Sequence, residues 1–148
     1  MAEERISRDH LFATIIQAVS QRSTCTRARV GAILVKNNRV ISTGYNGSPS
    51  GTPHCTEAGC ILNSEGACIR TVHAEANLIA FAAKNGENTD GASLYTTLAP
   101  CLDCAKLIVN AGIKKVYFQV PYRNTDGLDL LSDSGIEVYS LVVVLKTW

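Results

Sequence analysis

The sequence predicts an α/β fold in which helices flank a mixed β-sheet, and three observations support this prediction. Two β-rich segments, residues 30–36 and 39–45, are separated only by Asn37-Asn38, which is typical of a tight antiparallel hairpin. Strand and helix patterns then alternate through the middle of the chain, which favours parallel pairing of the later strands. The 148 residues contain no internal repeat and no recognisable linker, so we expect one domain over residues 1–148.

The first element is predicted to be a helix over residues 8–22, with Ser7 as its N-cap. Its apolar positions recur at spacings of three and four residues and therefore share one face: Leu11, Phe12, Ile15, Ile16 and Val19. After the hairpin, residues 46–70 are rich in Gly, Pro, Ser and Cys and show no periodicity. A loop of this length is usually functional or held in place by other groups, and its cysteines are suited to hold it.

The second half of the chain alternates between helical and β patterns. We predict a helix over residues 73–84, a strand over 93–97, a helix over 101–110, a strand over 115–120, a short helix over 128–131 and one or two β segments over 136–144. Asn85-Gly86 and Gly112 follow the two longer helices and are typical of helix ends.

Composition and charge argue against nucleic-acid and membrane partners, so a soluble cytoplasmic enzyme is the default expectation. The formal net charge is +1 and no run of Lys or Arg is present, which argues against nucleic acid as the main partner. Residues 1–5 contain both acidic and basic side chains and lack the apolar region of a signal peptide. The apolar run at residues 141–145 is far too short to span a bilayer, so we expect no membrane partner.

The chemistry is indicated by two short segments, His73-Ala74-Glu75 and Pro100-Cys101-Leu102-Asp103-Cys104. They offer one imidazole and two thiolates as zinc ligands, which leaves a fourth position for water, whereas a structural zinc site would be closed by a fourth protein ligand. Zinc makes bound water acidic enough to react at neutral pH, and the spare carboxylate of Glu75 is placed to move its protons. This order of residues is an established signature of zinc-dependent nucleobase deaminases.

Each half of this pattern has a simpler interpretation when it is taken alone. A Cys-x-x-Cys pair at a helix start is also typical of thiol redox proteins, and His73 alone is compatible with an ordinary, partly buried histidine. Both segments, however, fall at predicted helix N-termini, where backbone N–H groups and the helix dipole favour thiolates. Pro100 is suited to begin the second of these helices.

Four further cysteines remain: Cys25, Cys55, Cys60 and Cys68. Four thiolates close a tetrahedral structural zinc site, so we expect a second zinc that holds the long loop in place. His54, adjacent to Cys55, is an alternative ligand for one of them. The other interpretation is that some of these residues are buried free thiols, which are common in protein cores.

The residues around the motifs suggest how a nucleotide could be held. Gly44, Gly47 and Gly51 permit backbone conformations that direct N–H groups at an anion, although a turn-rich loop after a strand has the same composition. The candidates for a phosphate contact lie in or beside the motif segments and are Arg27, Arg70 and Arg123. Tyr122 is either a stacking partner for a pyrimidine or an ordinary half-buried aromatic residue.

Taken together, these segments resemble the cytidine/deoxycytidylate deaminase superfamily and, within it, the group that acts on dCMP. The resemblance extends from about residue 6 to residue 123, and its segments are residues 25–35, 42–51, 73–77 and 100–106. The Gly-Tyr-Asn-Gly-x-Pro-x-Gly stretch beginning at Gly44 is its most specific part. The resemblance implies an α/β/α sandwich with a central mixed five-stranded sheet. No motif is recognised in the last twenty-five residues.

The resemblance also implies an activity, namely zinc-dependent hydrolysis of dCMP to dUMP and ammonia, which supplies dUMP for thymidylate synthesis. It implies that Glu75 is catalytic, that His73, Cys101 and Cys104 hold the catalytic zinc, and that Asn46 contacts the sugar. We expect the main chain around residues 97–100 to help position the base. Some members of the superfamily hold a second zinc partly through cysteines that match Cys25 and Cys55.

Regulation and assembly are further implications of the resemblance. Many members of this group form hexamers that dCTP activates and dTTP inhibits, so the resemblance implies a regulatory dNTP, with Mg, at the loop formed by Gly44, Tyr45, Asn46, Gly47 and Gly51. Two alternatives stay open at this point. One is deamination of another small cytosine nucleoside or nucleotide, and the other is a non-catalytic nucleotide-binding protein that retains the fold.

Overall fold

The computed structural model describes residues 4–141, and its elements follow the predicted order. The helices are α1 (Arg8–Ser20), α2 (Cys55–Ala58), α3 (Ala74–Lys84), α4 (Leu102–Asn110) and α5 (Asp126–Asp133). The strands are β1 (Gly31–Lys36), β2 (Arg39–Tyr45), β3 (Ser93–Leu98), β4 (Lys115–Val120) and β5 (Glu137–Ser140).

The five strands form one mixed sheet in the order β2-β1-β3-β4-β5. Strand β1 is antiparallel to both of its neighbours, whereas β3, β4 and β5 run parallel. The hairpin turn is tight because Asn37 and Asn38 both adopt positive φ angles, of 51° and 62°, a conformation that asparagine tolerates and that suits the twist of a two-residue turn. Helices α4 and α5 provide the crossovers between the parallel strands. The predicted mixed five-stranded sheet is therefore confirmed.

Helices cover the two faces of the sheet, and the alternation of side chains along β1 separates the two cores. Ile33 and Val35 pack against α1 through Phe12 and Ile16. Ala32 and Leu34 face the opposite side, where they join a larger buried cluster with side chains from α3, α4 and α5. Because successive residues of a strand point to opposite faces, one strand contributes to both layers.

Aromatic rings cross the sheet on the α1 face as a continuous row. Tyr95 on β3, Tyr117 on β4 and Tyr139 on β5 stack with ring centroids 4.3 and 5.0 Å apart. Phe12 of α1 packs against the first of these rings at 4.9 Å. The Tyr95 hydroxyl donates a hydrogen bond of 3.1 Å to Asp9, so polar and apolar contacts together fix α1 on the sheet.

Several predicted boundaries need correction. The first helix ends at Ser20 and not at residue 22, and Leu11 is 42% exposed although its spacing places it on the same face as the buried Phe12 and Ile16. The Ser7 cap is confirmed, since its hydroxyl accepts a hydrogen bond from the His10 amide. The short helix predicted at 128–131 is longer, because α5 begins at Asp126. The part of the last predicted β segment beyond Leu141 lies outside the described residues.

The long loop over residues 46–70 contains structure that the prediction missed. Helix α2 occupies Cys55–Ala58, and two isolated bridges pair Gly47 with Val72 and Leu62 with Cys68. These elements are too short to produce a detectable period in the sequence. Within residues 4–141, no helix has both the length and the apolar character needed to cross a membrane.

Candidate active site

The two halves of the metal motif meet at the N-termini of neighbouring helices. His73 is the N-cap residue of α3, and Cys101 is the N-cap residue of α4, which follows directly after β3. The His73 Nδ1 atom lies 3.4 Å from the Sγ atoms of both Cys101 and Cys104. Around a tetrahedral zinc ion with ordinary bond lengths, a nitrogen and a sulfur ligand lie about 3.5 Å apart. The three donor atoms therefore fit a zinc ion.

Pro100 does not begin the second helix as predicted. It precedes the N-cap, because α4 begins at Leu102, and Cys101 has the extended conformation of a cap residue. Cys104 lies within the first helical turn, as expected. A hydrogen bond from Cys104, together with one from His73, lowers the pKa of Cys101 to about 4 despite burial. A thiolate is therefore available as a metal ligand.

Glu75 lies in the first turn of α3, next to the metal-binding side chains. Only 4% of its surface is exposed. Burial raises the pKa of Glu75, while a hydrogen bond from Cys104 and the nearby His73 oppose this shift. Desolvation disfavours the charged carboxylate, so Glu75 can hold a proton more readily than an exposed glutamate does.

A cavity of about 180 Å³ opens in front of these residues. Its polar lining includes groups from both motif segments and from three distant parts of the chain: Arg27, Asn46, Thr71, His73, Glu75, Cys101 and Tyr122. Its apolar wall includes Ala28, Val30, Leu98 and Ala99. Cys25 and Cys68 also line the cavity. The fold thus combines candidate metal ligands, a buried carboxylate and a cationic side chain in one space.

Asn46 lies in this cavity, but its side chain also binds a neighbouring segment of the protein. Its Oδ1 accepts a hydrogen bond of 2.8 Å from the Val30 amide, and its Nδ2 donates one of 2.8 Å to the Ala28 carbonyl. The Asn46 amide donates to the Val30 carbonyl at 3.3 Å, and its carbonyl accepts from the Ser23 hydroxyl at 2.8 Å. Asn46 therefore anchors residues 23–30 along one wall of the cavity.

The three candidate arginines occupy different surroundings. Arg27 lines the cavity. The Arg70 Nε donates a hydrogen bond of 2.9 Å to the Gly59 carbonyl, and Arg70 is absent from the lining of the main cavity. Arg123 lies over the ring of Tyr122, 5.4 Å from its centroid, and lines an adjoining depression that shares His73, Cys101 and Tyr122 with the main cavity.

The four remaining cysteines converge beside the same cavity. The sulfur atoms of Cys25, Cys55 and Cys60 lie within 4.8 Å of one another, and that of Cys68 lies 3.6 Å from that of Cys55. None of the four forms a disulfide. Sulfur ligands of one tetrahedral zinc ion are separated by a little under 4 Å. Cys25, Cys55 and Cys60 are therefore close enough to share one ion, whereas Cys68 lies next to Cys55 but outside that group of three.

The three glycines of the glycine-rich loop lie in different surroundings. Gly44 is required for packing, since a Cβ atom there would lie 2.4 Å from the Ala74 carbonyl oxygen of α3. The Gly47 amide is used in a 3.2 Å hydrogen bond to the Val72 carbonyl. Gly51 alone of the three has a positive φ angle, of 81°, with open space around it. The Gly47 amide is therefore already paired within the protein, and an anion-binding role for the loop stays a prediction.

Sequence reasoning also missed part of the cavity wall. Ala28, Val30, Ala67 and Thr71 carry no chemical signature, although Thr71 stands two residues before His73. Position relative to the motif is the one signal that could have identified Thr71. Leu98 and Ala99, in contrast, fall within the segment 97–100 that was expected to contact the base.

Comparisons with known proteins agree with this geometry. A family model described as the cytidine and deoxycytidylate deaminase zinc-binding region matches residues 6–120. ComE operon protein 2 of Bacillus subtilis is 42% identical over 91% of this chain and 71% of its own length. Deoxycytidylate deaminase of Enterobacteria phage T4 is 39% identical over 87% of this chain and 89% of its own.

A solved structure extends the likeness to three dimensions. The dCMP deaminase of the cyanophage S-TIM5, in complex with dCMP and dUMP, superposes with a TM-score of 0.82 at 38% identity. The match covers 93% of this chain and 99% of the cyanophage chain. The sequence motif, the fold and the arrangement of donor atoms thus lead to one assignment. This chain belongs to the cytidine and deoxycytidylate deaminase family.

Proposed function

We propose that this protein hydrolyses dCMP to dUMP and ammonia, and thereby supplies dUMP for thymidylate synthesis. The observation that carries the proposal is the placement of the buried Glu75 carboxylate beside His73, Cys101 and Cys104 in a cavity that Arg27 also lines. A binding protein has no need of a buried carboxylate next to three zinc ligands. The similar cyanophage enzyme was solved with both dCMP and dUMP, which supports this substrate.

The proposed chemistry assigns a separate task to each side chain. His73, Cys101 and Cys104 hold zinc, whose role is to activate a water molecule. Glu75 would take a proton from that water and pass it to the ring nitrogen of cytosine as the water oxygen adds to C4, and would then carry the second proton from the added hydroxyl to the amino group, so that the C–N bond breaks and ammonia leaves. Its raised pKa suits a group that must both accept and donate a proton near neutral pH.

The substrate is held by groups on the opposite wall. Arg27 is the preferred phosphate contact, because it alone of the three candidate arginines lines the main cavity. Asn46 retains unused hydrogen-bonding capacity for the sugar beyond its bonds to Ala28 and Val30. Leu98 and Ala99 form an apolar surface for the base, and Tyr122 is placed to stack on it. Arg70 and Arg123 are secondary candidates.

A second zinc ion at Cys25, Cys55, Cys60 and Cys68 is part of the proposal. The cluster joins the segment before β1 to three points of the long loop. Hydrogen bonds from the Arg70 and Ile61 amides bring the pKa of Cys68 down to about 7, although burial opposes them. A thiolate that receives amide hydrogen bonds is a suitable zinc ligand. Metal analysis should give two zinc ions per chain, and one would contradict the second site.

Regulation is proposed for a separate cavity of about 310 Å³ beside the glycine-rich loop. Its lining includes Tyr45, Gly47, Ser48, Gly51 and Asn77. The Ser48 hydroxyl is buried and has no hydrogen-bond partner among the described residues, as expected of a ligand contact. We propose dCTP and dTTP, with Mg, as the effectors, and a cytoplasmic hexamer as the regulated form.

One assay tests the central claim. Ammonia release is measured from dCMP, CMP, deoxycytidine and cytidine, each with and without dCTP or dTTP. Release from dCMP in preference to the nucleosides supports the proposal. Absence of release from dCMP under every condition contradicts it, and a preference for cytidine would favour the alternative small-nucleoside deaminase.

A further inference from the structure

The segment of residues 23–30 is anchored at two points that have different chemistry. On one side, Asn46 forms four hydrogen bonds to Ser23, Ala28 and Val30, as described above. On the other side, the Cys25 sulfur belongs to the cysteine cluster. Arg27 lies between these two anchors, and its own side chain is exposed. The position of Arg27 therefore depends on groups that are remote from it in the sequence.

Cys25 is linked to Arg27 by a direct contact. The Arg27 amide donates a hydrogen bond of 3.4 Å to the Cys25 sulfur, while the Cys25 amide donates one of 3.2 Å to the Ser23 hydroxyl. The same relationship recurs at Cys68 and Arg70, where the amide two residues after the cysteine bonds to its sulfur. Amide-to-sulfur contacts of this kind orient thiolate ligands and the backbone around them.

The cluster is also part of the cavity wall. Cys25 and Cys68 line the same cavity as Arg27 and Glu75, whereas Cys60 does not. Cys60 instead contacts Thr26, whose hydroxyl is 3.4 Å from the Cys60 sulfur. A ligand of the cluster can thus be replaced at Cys60 without altering any side chain that lines the cavity.

From these contacts we infer that the cysteine cluster sets the affinity for the substrate phosphate by fixing the turn from Cys25 to Arg27. Its metal then has a role in substrate binding as well as in stability. The inference rests on the proposed function and deepens it, because it assigns Cys25 as a positioning residue for Arg27. Cys25 acts through Arg27 and takes no part in the chemical step.

Loss of the cluster's metal should weaken the binding of ligands that carry a phosphate and spare those that do not. When the cluster loses its metal, the Cys25 thiol is no longer held, and the Arg27 amide loses a fixed partner. Binding of dCMP weakens, because an arginine–phosphate contact depends on precise placement of the guanidinium group. Deoxycytidine carries no phosphate, so its binding at the zinc of His73, Cys101 and Cys104 changes little.

The test uses Glu75→Gln protein, which should bind ligand with little or no turnover. Calorimetric titration gives the affinities for dCMP and deoxycytidine, with the zinc content measured for each preparation. Adding Cys60→Ser should remove one zinc per chain and weaken dCMP at least about tenfold, the effect of losing one charge-assisted hydrogen bond. Deoxycytidine affinity should change less than about twofold, within the ordinary scatter of distant substitutions.

Two further variants complete the design. Arg27→Ala should weaken dCMP as much as Cys60→Ser does, and the two changes together should add little, because both remove the same contact. Arg29→Ala is the matched control, since Arg29 is exposed, bonds to Gln21 and is not among the cavity-lining residues. If Cys60→Ser misfolds or retains both ions, Cys55→Ser replaces it, since Cys55 is also absent from the cavity lining, and the titrations are repeated.

The outcomes separate this inference from the proposed function. Unchanged dCMP affinity in one-zinc protein overturns the inference, and so does an equal loss for dCMP and deoxycytidine, which indicates general damage. In either case, dCMP deamination by the parent protein would leave the proposed function intact. Failure of the parent protein to bind or deaminate dCMP would instead overturn both.

Discussion

His73 and Cys101 occupy the same position in two different helices, since each is the N-cap residue of its helix, and the His73 Nδ1 lies 3.4 Å from the Cys101 sulfur. Both residues have the extended backbone conformation of a cap, which directs their side chains away from the helix axis. The positive ends of two helix dipoles therefore meet at the candidate zinc site. This arrangement favours the thiolate form of Cys101, whose pKa is lowered, whereas burial still raises the pKa of Glu75.

Glu75→Gln should abolish most turnover and leave zinc in place. The amide matches the carboxylate in size but cannot accept a proton from water, so kcat should fall by at least about 10²–10⁴-fold. Ammonia release from dCMP and zinc content are the measurements. A variant with near-parental turnover would show that Glu75 is not the proton carrier.

Gly44→Ala should destabilise the fold and disturb the site together. A Cβ atom at Gly44 would lie 2.4 Å from the Ala74 carbonyl oxygen, so α3 must shift, and this helix begins with the segment that carries His73 and Glu75. Overpacking of this kind costs about 1–3 kcal/mol. Chemical denaturation and deaminase assays measure both effects. Thr43→Ala, at an exposed neighbouring position of β2, is the control and should be nearly neutral.

Asn46→Ala should lower stability as well as substrate affinity. It leaves the Val30 amide and the Ala28 carbonyl without their partner, and the loss of each of these partly buried hydrogen bonds costs about 0.5–1.5 kcal/mol. Asn46→Asp should be at least as costly, because its second carboxylate oxygen would face the Ala28 carbonyl at a position where the amide now donates, and its charge would be buried. The free energy of unfolding and KM for dCMP are measured in parallel. If stability is unchanged in both variants, Asn46 serves the substrate alone.

Removal of metal should expose the long loop to proteolysis. Arg70 is the one trypsin site within residues 46–72, and its amide bonds to Cys68 of the cysteine cluster. Chelation should therefore accelerate cleavage after Arg70, which mass spectrometry of the fragments would detect. Readdition of zinc should restore protection. Equal cleavage rates with and without zinc would argue that the cluster does not hold the loop in place.

Much of the fold could be predicted because its signals are local. The Asn37-Asn38 turn, the Ser7 cap and the period of the helices each arise within a few residues of sequence, and each appears in the structure. The elements that were missed are the short helix α2 and the bridges of the long loop. These form through contacts such as that between Cys55 and Cys68, which leave no periodic pattern.

The residues of the candidate site also fall into two groups, those that the sequence identified and those whose role only the structure shows. His73, Glu75, Cys101 and Cys104 could be recognised because the chemistry of zinc restricts residue type and spacing. The roles of Gly44 and Asn46 could not, since a close approach to α3 and bonds to Ala28 and Val30 depend on how distant segments pack. The assignments of substrate contacts and of the second zinc stay predictions that the experiments above address.

The sequence by itself determined the type of chemistry and the order of strands and helices, because both depend on residue identity at short range. Only the tertiary structure decided which arginine lines the cavity and which does not. Residue type alone does not distinguish Arg27, Arg70 and Arg123. In the structure, Arg27 lies at the cavity wall, while Arg70 binds the Gly59 carbonyl. The physical reason is that a long, flexible side chain takes its position from the partners that the fold brings to it.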